Sequence, residues 1–505
     1  MSESTSGNQA SGPGHGQLSL WDTVSIIVGI VIGASIFETP PTIFGNVATP
    51  WAGLGVWLFC GVLSFIGALC YAELATTYPR YGGDYVYLSR GFDRCIGFLF
   101  GWAQLAVVLS TSTGAMAFVF GKYSAGLLGI TDDAERDLFA VQAGVGAVAV
   151  LTIMNFFGVV LGKWVQNGLV ILKMVGMVLI VLAALWAPAS DAFSVGGHTV
   201  GPTAPGIPLA IILVLYAYGG WNDAAFVAAD LRDRRNITKA LLLGTVGITV
   251  IYLLVNFAYI LSLGFEDATK FRPTIAADVM TKAFGPFGGK LIAILVMASA
   301  LGAINGLIFT GSRVYLSLGA EHRVFALLGH WNATLKAPIW SLLAQGAVSI
   351  SMILVVGTDT GRNGINDALE QLGIRNIPWG QYFGGFNTLY AGGAPVFWIF
   401  FLLTGFSMFA LRARDPHIVR PFELKAPWYP ILPIIFCGMC LFGFVSAINY
   451  AGWISLLGFI PLFLGLPLYW LSGLGGGQPE VKMTETSYPL ADPKPAPDDR
   501  FKPRD

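Results

Sequence analysis

Charge is what this 505-residue chain has least of. Only 11% of its residues are Asp, Glu, Lys or Arg, against about 25% in a soluble globular domain, so a water-facing surface of ordinary size is excluded. The net charge is zero, which rules out a dominant nucleic-acid-binding face. Histidine is scarce too. His15, His198, His322, His330 and His417 all fall in tails, loops or helix ends, so the apolar runs hold no nucleophile–base pair and no histidine metal centre. That excludes an intramembrane enzyme and leaves no expected cofactor or metal. The five cysteines sit in or beside apolar runs. Cys437 and Cys440 have C-x-x-C spacing, but without further Cys or His nearby they read as small apolar residues of a helix. The first 18 residues contain no Lys or Arg and no apolar core, so they are not a signal peptide and read as a disordered tail.

What the chain has in abundance is apolar length. It is 55% hydrophobic, with mean hydropathy +0.67. Runs of about 20 apolar residues, each long enough to cross a bilayer as a helix, recur nearly throughout. Twelve spans are expected, near 20–45, 52–78, 92–125, 138–158, 163–187, 205–230, 238–264, 287–320, 337–357, 388–412, 428–449 and 451–472. A short helix around Asn366–Leu372 is expected in the longest connection, 358–387, and a disordered tail over 473–505. Placing the N-terminus in the cytoplasm puts fifteen Lys and Arg in inner loops and eight in outer loops. The positive-inside rule therefore favours a multi-pass protein of the cytoplasmic (inner) membrane with both termini inside.

Two places in these spans do not belong in lipid. Lys173 lies ten residues beyond Lys163 on the fifth span, about 15 Å deeper along a helix, near mid-membrane. A lysine there costs about 2.5–3.5 kcal/mol on insertion scales, which marks a functional position or an internal ion pair. The second feature is a pair of interruptions. The first span reads VSIIVGIVIGASIFETPP, with Gly33-Ala34-Ser35 at its centre and Glu38 just beyond. The sixth reads IILVLYAYGGWNDAAFVAADL, with Gly219-Gly220 followed by Asn222 and Asp223. Glycines in a membrane helix also serve close packing. The first and sixth spans, however, are corresponding positions if ten helices form two repeats of five with opposite topology, and interrupted helices at such positions point to a transporter's central site. A break frees N–H groups at the start of one half-helix and carbonyls at the end of the other, the former suited to a carboxylate and the latter to an ammonium. Exposed backbone of this kind survives at membrane depth only beside a cavity. The pattern suits a zwitterion such as an α-amino acid.

At these residues the chain resembles the amino acid–polyamine–organocation (APC) transporter superfamily, most closely its L-type amino acid transporter branch. The resemblance runs over roughly residues 20–472. It is carried by GIVIGASIF (Gly29–Phe37), GALCYAELATTYPRYGGDYVYLSRGF (Gly67–Phe92), NFFGVVLGKWVQNGLVILK ending on Lys173, LYAYGGWNDAAFVAADL, and SALGAINGLIFTGSR (Ser299–Arg313). It implies an all-α fold of a 5+5 inverted repeat (about 20–187 and 205–412) plus two C-terminal helices (428–472), discontinuous first and sixth helices, and alternating access. It also implies roles. The substrate carboxylate meets backbone N–H groups at Gly33, Ala34 and Ser35, and the ammonium meets carbonyls near Val31, Tyr216 and Gly219. Tyr216 serves as an aromatic gate, and Asn222 as a polar residue at the site. Lys173 places its ammonium between the first and eighth helices, where sodium-coupled relatives of the fold hold an ion, and Ser299 of the eighth is counted with it among the coupling residues. That implies sodium-independent transport of amino acids, as exchange or proton symport, with substrate, bilayer and protons as partners and no obligatory protein partner.

The chain departs from the family pattern at Ser35, Glu38, Asp223 and Ala303, and LRDRRNITKAL lacks the usual prolines. Glu38 either titrates during transport or caps the outer half-helix as an ion. Asp223 either contacts a cationic substrate side chain or satisfies nearby backbone. Glu73 and Asp22 are expected at cytoplasmic helix ends, paired with Arg80 or Arg90. A polyamine or organic-cation carrier of the same fold, and a non-transporting amino acid sensor, are the alternative readings.

Overall fold

The computed structural model describes residues 17–196, 198–201, 206–270, 275–371, 373–379 and 385–473. The tails expected over 1–18 and 473–505 lie outside these residues, apart from Gln17, Leu18 and Gly473. Gln17 and Leu18 are held in place: both N–H groups donate to the Asp230 carbonyl, at 3.1 and 2.9 Å, and Leu18 pairs with Leu231 as a parallel bridge.

The architecture is all-α, as the hydropathy predicts. Among the described residues, ten helices are long and apolar enough to cross a membrane: 50–77, 94–127, 133–156, 159–186, 207–230, 236–263, 286–321, 339–357, 391–414 and 428–454. They match the second to eleventh expected spans. Leu20–Val31 and Gly458–Ser472 are the shorter apolar helices at the first and twelfth. Their outward faces are apolar, with Trp164, Ile171, Val178 and Trp186 of the fifth span more than half exposed, as lipid in place of water requires. The connection after the ninth span carries a helix over Asp359–Gln371, longer at its N-terminal side than the expected Asn366–Leu372. Further helices were not anticipated, among them Asp84–Gly91 on the cytoplasmic side by the orientation above, and Ile275–Phe284 on the opposite side.

Local chemistry explains the ends that matter. The first span starts on a capping box: Ser19 Oγ accepts from the Asp22 N–H, and the Asp22 carboxylate accepts from the Ser19 N–H. The helix then stops at Val31 because residues 32–34 leave the helical ladder, and short helices resume at Ser35–Glu38 and Pro40–Gly45. The sixth span stops at Ala217 and resumes after Gly220 as a 3-10 helix over Trp221–Asp230. Gly220 has φ +106°, a conformation open to glycine, and a Cβ there would meet Ile30 Cγ2 at 2.5 Å. The two broken helices therefore touch backbone to side chain at their interruptions, inside the bundle.

Asp22 and Glu73 find partners other than those expected. Asp22 pairs with Lys163 at 3.1 Å and accepts from Asn167 Nδ2 at 2.8 Å. Glu73 is gripped by Arg412 through two bonds of 2.7 and 2.6 Å and also accepts from the Leu424 N–H at 2.8 Å. Arg90 pairs instead with Asp415, at 2.7 Å. The reason is topological: the second span ends against the tenth, so Glu73 meets arginines more than three hundred residues away rather than those just after it.

Candidate functional site

A cavity of about 130 Å³ lies between the two interruptions. It is lined by both breaks, by the third and eighth spans, and by the tenth. Of the residues singled out in the sequence, Val31, Gly33, Ser35, Tyr216, Gly219, Asn222 and Asp223 line it. Ala34, Glu38, Lys173 and Ser299 stand outside the lining. Ala34 is buried within the turn, and its carbonyl accepts from the Phe37 N–H at 2.9 Å. Glu38 is half-buried on the outer half-helix, beside Lys122 and Tyr123.

The backbone at the first break divides into occupied and open groups. The N–H of Gly33 folds back onto the Val31 carbonyl at 2.8 Å. The N–H groups of Ala34, Ser35 and Ile36 donate to no backbone carbonyl among the described residues, as the first turn of a new helix dictates. On the carbonyl side nearly everything is taken. Lys173 Nζ donates to the Gly29 carbonyl at 2.9 Å and to that of Ile32. Ser299 Oγ lies 2.8 Å from the Ile32 carbonyl and 3.1 Å from that of Gly33. The Val31 carbonyl accepts from Tyr252 Oη at 3.0 Å as well as from Gly33. Lys173 is thus a buried amine whose partners are helix-end carbonyls of the first span, and its neighbour across the gap is the eighth span, where a Cβ on Gly302 would stand 3.7 Å from Nζ. The negative end of the inner half-helix offsets its burial.

At the sixth break the Gly219 N–H closes a turn onto the Tyr216 carbonyl at 3.0 Å. The carbonyls of Tyr218 and Gly219 accept no backbone bond among the described residues. Tyr216 packs edge-on to Trp398, with ring centroids 6.2 Å apart. Asn222 Nδ2 donates to Asp223 Oδ1 at 3.1 Å, while Asn222 Oδ1 is buried without a partner.

Several residues of the site carry no local signal in the sequence. Tyr252, in the middle of the seventh span, is fully buried and reaches both interruptions: its hydroxyl lies 3.0 Å from the Val31 carbonyl and 2.8 Å from that of Ala217. In sequence it is one aromatic in an unbroken apolar run. The third span contains a π-helical turn over Gln104–Val108, and its members Gln104, Val107 and Val108 line the cavity. Such turns recur at functional sites but have no residue signature of their own. Thr111, Ser112 and Met116 of the same span, and Phe397 of the tenth, complete the wall opposite the breaks.

Comparison with known proteins agrees with this geometry. The chain is 26% identical to the serine/threonine exchanger SteT of Bacillus subtilis (strain 168) over 83% of its length and 88% of that protein's. It is 27% identical to the b(0,+)-type amino acid transporter 1 of Mus musculus, covering 90% of this chain and 87% of that one. With the human cystine/glutamate transporter it shares 25% identity over 90% of its length and 85% of the relative's. A family model described as amino acid permease matches residues 18–466, which include both interruptions, Lys173 and the whole cavity wall, and the chain belongs to that family.

Proposed function

We propose that this amino acid transporter works by alternating access around the cavity between its two broken helices, independently of sodium, as an amino acid exchanger or proton symporter. One observation carries the reading: the Lys173 ammonium fills the place between the first and eighth spans, on the carbonyls of Gly29 and Ile32, where a bound cation would otherwise be needed. With a resident positive charge there, the inner end of the first half-helix needs no inorganic ion to offset its dipole.

The substrate's carboxylate fits the open N–H group of Ser35, with Gly33 leaving the approach clear of a side chain. Its ammonium fits the open carbonyl of Gly219 and the edge of the Val31 turn, and Tyr216 covers it. Asn222 supplies a further acceptor. The two five-helix repeats rock about this fixed site, in a cytoplasmic membrane with both termini inside.

The test is uptake of labelled amino acids into proteoliposomes, varying sodium, the pH gradient and internal amino acid separately. Uptake that persists without sodium and responds to internal amino acid or to a pH gradient supports the proposal; strict sodium dependence sinks it. The same assay addresses the organic-cation alternative, which the carboxylate of Asp223 in the lining favours. Decarboxylated amines competing as well as the parent amino acids would establish it.

A further inference from the structure

We propose that Asp223, with Asn222, selects amino acids whose side chain carries a second positive charge. The inference rests on the transport reading above and adds a substrate class to it.

The argument begins with what the cavity contains. Among the described residues that line it, Asp223 is the one carboxylic acid, and no Lys, Arg or His is present. A zwitterion seated on the two interruptions brings one charge of each sign and leaves this carboxylate unbalanced. Burial makes the imbalance matter: Asp223 and Asn222 are each 5% exposed, and a carboxylate removed from water requires a partner charge or dense hydrogen bonding. Its single hydrogen bond among the described residues comes from Asn222 Nδ2.

Nor do the surroundings supply the missing cation. Arg313, the buried guanidinium of the eighth span, is committed to Asp230 at 3.1 Å and to the Phe309 carbonyl at 2.8 Å. Lys173 is spent on the carbonyls of Gly29 and Ile32. The ionisable neighbour that does act on Asp223 is another acid, Asp84, whose Oδ1 accepts from Tyr71 Oη at 2.5 Å. The remaining neighbour, Tyr315, is neutral and donates toward the Gln104 carbonyl at 3.3 Å.

Hydrogen-bond polarity points the same way. The polar atoms at this end of the cavity, Asn222 Oδ1, which has no partner among the described residues, and the carboxylate oxygens of Asp223, are acceptors. A ligand group that only donates fits them, and an ammonium with three donors or a guanidinium with five does so while also neutralising the charge. A neutral alkyl side chain would leave both acceptors dry, and a hydroxyl would satisfy one.

The test uses the full-length transporter in proteoliposomes and isosteric competitor pairs: lysine against 2-aminoheptanoic acid, and arginine against citrulline. Each pair matches in length and differs in side-chain charge. The expected result is that wild type takes up labelled lysine, and that the cationic member of each pair competes at least tenfold better than the neutral one. In Asp223→Asn this preference ratio falls at least tenfold, and in Asp223→Glu it is largely regained. Wild-type uptake confined to neutral amino acids overturns the inference while leaving amino acid transport intact. An Asp223→Asn variant that weakens both members of each pair equally also overturns it, because Asp223 would then hold the α-ammonium common to all substrates. Absence of any amino acid uptake would remove the transport reading and this inference together.

Discussion

Replacing Gly220 with alanine tests whether the two interruptions are built against each other. Gly220 holds φ +106°, where an L-residue meets its own carbonyl at a cost of roughly 1–2 kcal/mol. An added Cβ would stand 2.5 Å from Ile30 Cγ2 and 3.8 Å from the Ile30 carbonyl carbon, well inside contact distance for the first. Forcing extra volume into a packed interior costs about 1–3 kcal/mol. The sum is about 2–5 kcal/mol of lost stability. The two parts separate in a double-mutant cycle. Ile30→Ala removes Cγ2, so Gly220→Ala should cost about 1–3 kcal/mol less in that background, while the backbone part persists. The assay is reversible unfolding in mixed detergent micelles, with amino acid uptake measured in parallel. A Gly220→Ala variant within 0.5 kcal/mol (about the scatter for innocuous substitutions) of wild type would refute the packing argument, as would a cycle with no coupling.

Lys173→Ala should abolish coupled transport while leaving folded protein: Gly29 and Ile32 lose charge-assisted bonds worth about 1.5–3 kcal/mol each, and normal coupling in the variant would remove Lys173 from the mechanism. Tyr252→Phe deletes the hydroxyl shared by the Val31 and Ala217 carbonyls, so uptake should slow severalfold with stability reduced by about 0.5–1.5 kcal/mol; an unchanged rate would make the bridge merely structural. His322, edge-on to Phe98 and beside the charge of Arg94, is held by burial and that charge at a pKa of about 4 against the ordinary 6.5. The unfolded chain takes up a proton first, so the stability contributed by His322 is complete above pH 6.5 and is lost as pH falls toward 4, by about 3 kcal/mol at most; His322→Gln should flatten that acid limb in thermal unfolding measured against pH. At Asp415 the Arg90 guanidinium holds the carboxyl below the usual range, so its contribution survives above ordinary carboxylate pKa values and fails only on stronger acidification; Asp415→Asn should remove that later step and leave the first.

Which parts of this molecule are legible in sequence follows from the range of each interaction. Bilayer-length apolar runs and the Gly33–Ser35 and Gly219–Gly220 interruptions are local features, readable in a few residues, and the structure breaks both helices there. The depth of Lys173 needed only counting along a helix from Lys163. Tyr252 is different, because its role depends on where the seventh span lies relative to the first and sixth, and nothing within ten residues encodes that. The pairing of Glu73 with Arg412 failed on the same ground, and so did the π-turn at Gln104–Val108, where the backbone widens under packing rather than under a residue preference. Residues that act through local backbone chemistry are visible from their neighbours; residues that act by closing a long loop are not.

The end of the bundle around Asp230 follows from the same accounting of partners. Asp230, at the end of the sixth span, is fully buried and serves three elements at once. Its carboxylate takes Arg313 Nε at 3.1 Å and Tyr81 Oη at 2.6 Å, and its carbonyl takes the N–H groups of Gln17 and Leu18. Tyr81 is anchored in turn, since its own carbonyl accepts from Ser317 Oγ at 2.8 Å. A movement that parts the first, sixth and eighth spans at this end separates these groups together. Breaking the Arg313 contact alone would leave a buried charge without its partner, a cost of about 3–5 kcal/mol, whereas releasing all of them into an entering column of water restores solvation to each. The arrangement therefore favours two states, latched or fully wetted, over any partial opening. That is the behaviour a carrier needs if its substrate is never to see both sides of the membrane at once.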